Sequence, residues 1–281
     1  MTDAGLFETL RLYFSYEFVR NALVAGVLIS LCAGLLGVTL VLKRYSMIGD
    51  GLSHVAFGAM AVAAVIGWTP MAVALPVTVG AAVLLLLASE RGKIKGDAAI
   101  AMLSAGALSV GYLLLNLFPA ANSGKFSEET LFGSTSMLTL SGTDVLLCAV
   151  LAAAVLLFFI FFYHRIFAVT FDERFSTANG LHSQAYNFLI AAVSGVVIVL
   201  AMKLMGALLI SALIIFPALS AMRLFRSFRS VMICSAVISV CGSVCGLLLS
   251  ILYSTPTGAT VVVIHLVIFG AFSGLKLILK R

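Results

Sequence analysis

The chain has 281 residues, of which 62% are hydrophobic and only 10% charged, with a formal net charge of +6. A soluble domain carries about a quarter charged residues because its surface must face water. Soluble, secreted, disordered and nucleic-acid-binding proteins are therefore excluded, and the positive charge is read as membrane topology. At about 20 apolar residues per crossing, the expected fold is an all-α polytopic membrane protein of roughly eight to ten helices.

In chain order, residues 1–17 alternate charges with Leu, Phe and Tyr. They read as an interfacial N-terminal segment, helical or frayed, with no cleavable signal. Residues 18–281 read as one transmembrane domain with nine apolar segments: 18–42, 47–67, 70–89, 97–118, 143–163, 186–202, 204–221, 231–253 and 259–279. Only Lys203 and Gly206 mark the break between the sixth and seventh, so that pair is expected as shorter helices or a re-entrant turn. Cytoplasmic loops are enriched in Lys and Arg. If the loop after the first segment is cytoplasmic and the chain alternates, 13 of the 17 Lys and Arg residues fall on that side. The N-terminus is then outside and the C-terminus cytoplasmic. The longest outer loop, about 119–142, is expected to offer a surface to a partner.

Most polar residues within the segments have ordinary roles. Asp97 and Asp144 sit at expected helix starts, where a carboxylate caps free N–H groups. Lys203 is expected to reach the outer interface, and His265 reads as an interior histidine. Cys32, Cys148, Cys234, Cys241 and Cys245 form no Cys-x-x-Cys and read as small packing residues. Gly242 and Gly246 form a Gly-x-x-x-Gly pair that lets helices approach closely.

Asp50 and His54 differ from these. Their i, i+4 spacing puts a carboxylate and an imidazole on one helix face. If the helix starts near Arg44, a rise of 1.5 Å per residue sets them about 9 and 15 Å deep. Small neighbours (Gly49, Gly51, Ser53, Ala56, Gly58, Ala59) leave room beside them. Carboxylate and neutral imidazole suit Zn²⁺, Mn²⁺ or Fe²⁺. Two donors hold an ion weakly, and a two-fold dimer would bring four together. The same spacing equally suits a buried Asp–His hydrogen bond that locks helix packing.

A second feature is the stretch 220–230, where Arg223, Arg226 and Arg229 recur at i, i+3, i+6 among Met222, Leu224, Phe225 and Phe228. It reads as a short amphipathic helix that lies on the membrane, docks on a partner, or is simply a basic loop. No phosphate-binding loop, H-E-x-x-H or G-x-S-x-G motif is present, so no enzyme activity is expected. Any ATP used here would have to be hydrolysed on another subunit.

The blocks LKRYSMIGDGLSHVAFG at 42–58, LFGS at 131–134, AMKLMGALLISALIIFPALSAMRLFRS at 201–227 and YSTPTGATVV at 253–262 resemble the membrane permease subunits of ABC importers for zinc, manganese and iron. The likeness covers nearly the whole chain. It implies a permease domain over 18–281 and a homodimer around a central pathway. It also implies cytoplasmic ATPase subunits and an extracytoplasmic metal-binding protein as partners. Asp50 and His54 match the G-D-x-x-x-H motif, which implies the intramembrane site for transported Zn²⁺ or Mn²⁺. Met222 to Ser230 corresponds to the helix that rests on the ATPase, and Gly206 and Pro217 to a frame that shapes helices. Where the pattern often has Leu-Pro-Gly after the histidine, this chain has Ala56-Phe57-Gly58, which leaves the local helix shape open. The alternatives are an ABC permease for a metal chelate or vitamin, and a secondary metal carrier without an ATPase.

Overall fold

In lipid every backbone N–H and C=O must be satisfied within the chain, which leaves helices as the local solution for long apolar segments. A computed structural model describes residues 11–90, 96–119 and 140–279, with side chains at all of these except 86–90 and 96–97. Among the described residues there is no strand. Eleven helices follow one another among the described residues. They are α1 (Glu17–Leu42), α2 (Ile48–Ile66), α3 (Pro70–Glu90), α4 (Gly96–Leu117), α5 (Gly142–Phe161), α6 (Tyr163–Phe171), α7 (Glu173–Ala178), α8 (Ser183–Met205), α9 (Ala207–Leu224), α10 (Phe228–Tyr253) and α11 (Thr257–Leu279).

Each expected apolar segment is one helix, with ends moved by at most three residues. Eight of the described helices are long and apolar enough to cross a membrane, and the described apolar stretch of α3, Pro70–Leu85, is shorter. Residues 11–15 are also helical, with Leu12 exposed. The Asp97 side chain, and with it the expected cap, is not among the described side chains, and most of the expected outer partner loop, 120–139, lies outside the described residues.

The expected short or re-entrant pair at 203–206 is instead two full-length helices, α8 and α9, divided by one residue. Gly206 has φ 88° and ψ 159°, a conformation open essentially to glycine alone, so the reversal needs no longer loop. Pro217 lies inside α9 and is buried.

The helices are held at close range by small residues and hydroxyls. Ser235 Oγ donates to the Gly34 carbonyl and Ser239 Oγ to the Ser30 carbonyl, each at 2.7 Å, tying α10 to α1. A Cβ on Gly246 would lie 2.7 Å from Val261 Cα, so the Gly-x-x-x-Gly face of α10 is filled by α11. His265 packs over Gly242 with Nδ1 2.9 Å from the Val261 carbonyl, an interior histidine as expected. Lys203, partly exposed, pairs with Asp144 at 2.9 Å and joins α8 to the Ser141-capped start of α5. One expectation changes: Cys241 and Cys245 are exposed on the outer face of α10, while Cys32 and Cys148 are buried.

One end of the bundle gathers the turn 43–47, helices α6 and α7, the start of α8 and the turn between α9 and α10. The contacts are Asn187 to Lys43 and Glu173, and Phe228 to Tyr163, Phe167 and Phe171 at ring separations of 5.4 to 5.9 Å.

Candidate metal site

Helix α2 carries both expected ligands. It starts at Ile48, not near Arg44, because Lys43 to Met47 are spent on a turn. Asp50 is therefore in the first helical turn and His54 only about 9 Å along the helix, closer to the helix end than the expected 15 Å. A carboxylate in a first turn also meets the favourable end of the helix dipole. The helix continues unbroken through Ala56-Phe57-Gly58 to Ile66, which settles the shape left open by the missing proline.

The small neighbours do not make room at the pair. Gly49, Gly51, Ser53, Ala56, Gly58 and Ala59 are all buried. A Cβ on Gly58 would sit 2.6 Å from the Ala107 carbonyl oxygen, and one on Gly51 equally close to Ile100. The glycines thus allow α4 to approach α2, and Gly49 faces Ile214 and Ser211 of α9. The open face is narrow. Between Ile48 and Ala61 every residue of α2 is buried except Asp50 and His54, whose side chains are 34% and 18% exposed.

His54 Nδ1 lies 2.7 Å from Ser104 Oγ on α4 and 3.9 Å from Asp50 Oδ2. The serine therefore fixes the ring. When its oxygen accepts from Nδ1–H, Nε2 carries the lone pair a metal needs. Among the described residues the Asp50 carboxylate makes no hydrogen bond, and no side chain but His54 pairs with it. The sequence held no signal for Ser104. It is 50 residues away and is one serine among many in the chain. Nor do three or more His, Cys, Asp or Glu cluster among the described residues. One chain contributes two donors, and a four-coordinate ion needs others.

The stretch 222–230 departs from expectation more clearly. It forms no separate amphipathic helix. Met222, Arg223 and Leu224 are the last turn of α9, Phe225 is extended, and Ser227 caps α10 by accepting from the Ser230 N–H at 3.3 Å. The serine cap starts a new helix before three-residue spacing can set up one continuous face. Its arginines separate accordingly. Arg223 lies over the Phe269 ring at 5.1 Å and borders a cleft with Arg226 and Lys276. Arg229 borders a different, apolar cleft with Tyr163 and His164. Phe228 is 6% exposed and packs into the α6 aromatics rather than outward.

Exposed aromatics at this end come from α6 and α7 as well as from Phe225. Phe171 and Phe175 are largely uncovered, beside charged Asp172, Glu173 and Arg174. An open cleft of about 1150 Å³ runs along α7 from Phe171 to Ala185.

Among solved structures, the fold matches PsaBC from Streptococcus pneumoniae in complex with Fab, with a TM-score of 0.83 and 26% identity over the whole of both chains. Similar curated proteins include the manganese transport system membrane protein MntC of Halalkalibacterium halodurans, 27% identical over 91% of this chain and 86% of that one. Another is the manganese import system permease protein ScaB of Streptococcus gordonii, 26% identical over 90% of each. The family model of the ABC 3 transport family matches residues 15–274. With nearly its whole length matched, the chain belongs to the ABC 3 transport family.

Proposed function

We propose that this multi-pass plasma-membrane protein is the permease of an ATP-driven importer for a divalent transition metal, Mn²⁺ or Zn²⁺. Asp50 and His54 bind the ion in transit. One observation carries the reading: along α2 the only uncovered side chains from Ile48 to Ala61 are an uncommitted carboxylate and a histidine held by Ser104. Leaving a carboxylate against lipid costs about 3 kcal/mol or more, so that face is covered by a second protein surface or opens to water. A second copy of the chain satisfies both needs, because two such faces around a dyad give two Asp and two His. Carboxylate and imidazole take either metal, and intrinsic affinity favours Zn²⁺. The manganese transport named for MntC and ScaB favours Mn²⁺ for this chain.

The chain itself performs no covalent chemistry. Its part is to exchange the ion's water for protein donors and release it on the other side, which requires binding neither too weak nor too firm. The N-terminus lies outside, where a metal-binding protein delivers the ion, and the end of the bundle holding α6 and α7 is cytoplasmic. There the exposed Phe171 and Phe175, together with Met222, Arg223, Leu224, Phe225, Arg226 and Arg229 around the α9–α10 turn, form the surface for separate ATPase subunits. Phe228 joins the two parts of that surface.

The test is uptake by the complex reconstituted in liposomes, with one metal at a time. Asp50→Ala and His54→Ala are expected to abolish uptake while the ATPase still co-purifies. Unchanged uptake in both variants contradicts the assignment.

A further inference from the structure

Three side chains at the α7 end connect elements far apart in sequence. The Lys43 ammonium donates to Asn187 Oδ1 of α8, and Asn187 Nδ2 donates to Glu173 Oε1 of α7 at 2.7 Å. Lys43 Nζ also lies 4.0 Å from Glu173 Oε2. The Lys43 side chain is only 8% exposed and Asn187 only 2%. An ammonium and an amide buried this far are tolerable only while their partners stay in place, so α7 and the turn after α1 are energetically bound to each other.

What stands on either side gives the triad its interest. Lys43 is the C-cap of α1, and the next residue, Arg44, is in the left-handed region at φ 64°. Tyr45 N–H returns to the Leu40 carbonyl at 2.8 Å and Ile48 N–H to the Tyr45 carbonyl at 3.0 Å. Backbone hydrogen bonds thus tie the turn to the end of α1 and to the start of α2, and Asp50 follows within the first turn of α2. On the other side Glu173 is the first residue of α7, whose Phe175 is 65% exposed. Helix α7 is itself fastened to α8, because Thr177 Oγ1 donates to Ser183 Oγ at 3.0 Å. A displacement of α7 therefore strains a set of part-buried polar bonds to the turn after α1 and to α8.

We infer that Lys43, Asn187 and Glu173 are the link that carries movement of α7 to the metal pair, so that Asp50 and His54 are repositioned when the ATPase changes state. This rests on the reading above that α6 and α7 carry the ATPase. The three are positioning residues, touching no ion themselves. They make the turn 43–47 the mechanical input to α2, which elsewhere is wedged between α4 and α9.

The experiment compares the wild-type complex with Lys43→Met, Asn187→Leu and Glu173→Gln variants in proteoliposomes, scoring metal ions delivered per ATP hydrolysed. Lys43→Arg, which keeps the charge and donors, serves as the folding control. The ATPase is expected to co-purify and hydrolyse ATP in every variant, and Mn²⁺ binding at equilibrium is expected to hold. Ions per ATP are expected to fall at least tenfold in the first three and to recover in Lys43→Arg. The inverted pair, Lys43→Glu with Glu173→Lys, is expected to restore part of the loss. A purely structural clamp would lower assembly and leave the ratio alone, so a ratio equal to wild type in all three single variants overturns the link. Wild-type liposomes that take up no metal contradict the transport reading and the link with it. Normal wild-type uptake beside unchanged variants contradicts the link alone.

Discussion

Ser104 shows what a single hydroxyl contributes to the proposed metal pair. At 2.7 Å from His54 Nδ1 it orients the ring, and when it accepts from Nδ1–H it does the task that carboxylates and backbone carbonyls perform for metal-bound histidines elsewhere. Removing such a partner typically weakens metal affinity about 10- to 100-fold. Ser104→Ala is therefore expected to raise the Kd for Mn²⁺ within that range and leave the folded helix content unchanged, as checked by calorimetry and circular dichroism. His54→Ala loses the donor itself, and its binding is expected to fall below detection. The Asp50–His54 pair was legible because i, i+4 spacing is a local property of a helix. Ser104 was not, because only the packing of α4 on α2 brings it there. The six small residues around the pair misled for a similar reason. Spacing told how small they are, but not that α4 and α9 fill the space they leave.

At the scale of elements, the bilayer makes helices easy to read. A segment must be about 20 residues long and apolar to cross, and the nine segments end within three residues of the helices that form. Connections follow other rules. The stretch 222–230 has the spacing of an amphipathic helix, yet Ser227 caps α10 and Phe225 is extended, so two helix ends meet where one short helix was expected. Helices α6 and α7 lay hidden because they need neither length nor apolarity. Two glycines make the elements vulnerable. Gly206→Ala forces a Cβ into a region reserved for glycine and is expected to cost about 1–3 kcal/mol, read as a lower Tm of the detergent-solubilised protein. Gly58→Val drives a branched side chain into the Ala107 carbonyl. It is expected to cost a similar 1–3 kcal/mol through overpacking, and a Tm equal to wild type would contradict the close α2–α4 contact.

Across the whole molecule, charge and burial divide the labour. The basic turns gather with α6 and α7 at one end, while Asp144 and Lys203 lock α5 to α8 at the other. Composition foretold a membrane protein. It could not foretell that α2, among the most enclosed helices, would leave one charged window open. That window is why a second copy is central to the account, since two donors per chain are too few. The most direct measurement is the stoichiometry of Mn²⁺ bound to the purified permease, by calorimetry, for wild type and for Asp50→Ala. The account predicts one ion per pair of chains in the wild type and none in the variant. An ion retained at full affinity in Asp50→Ala would contradict it.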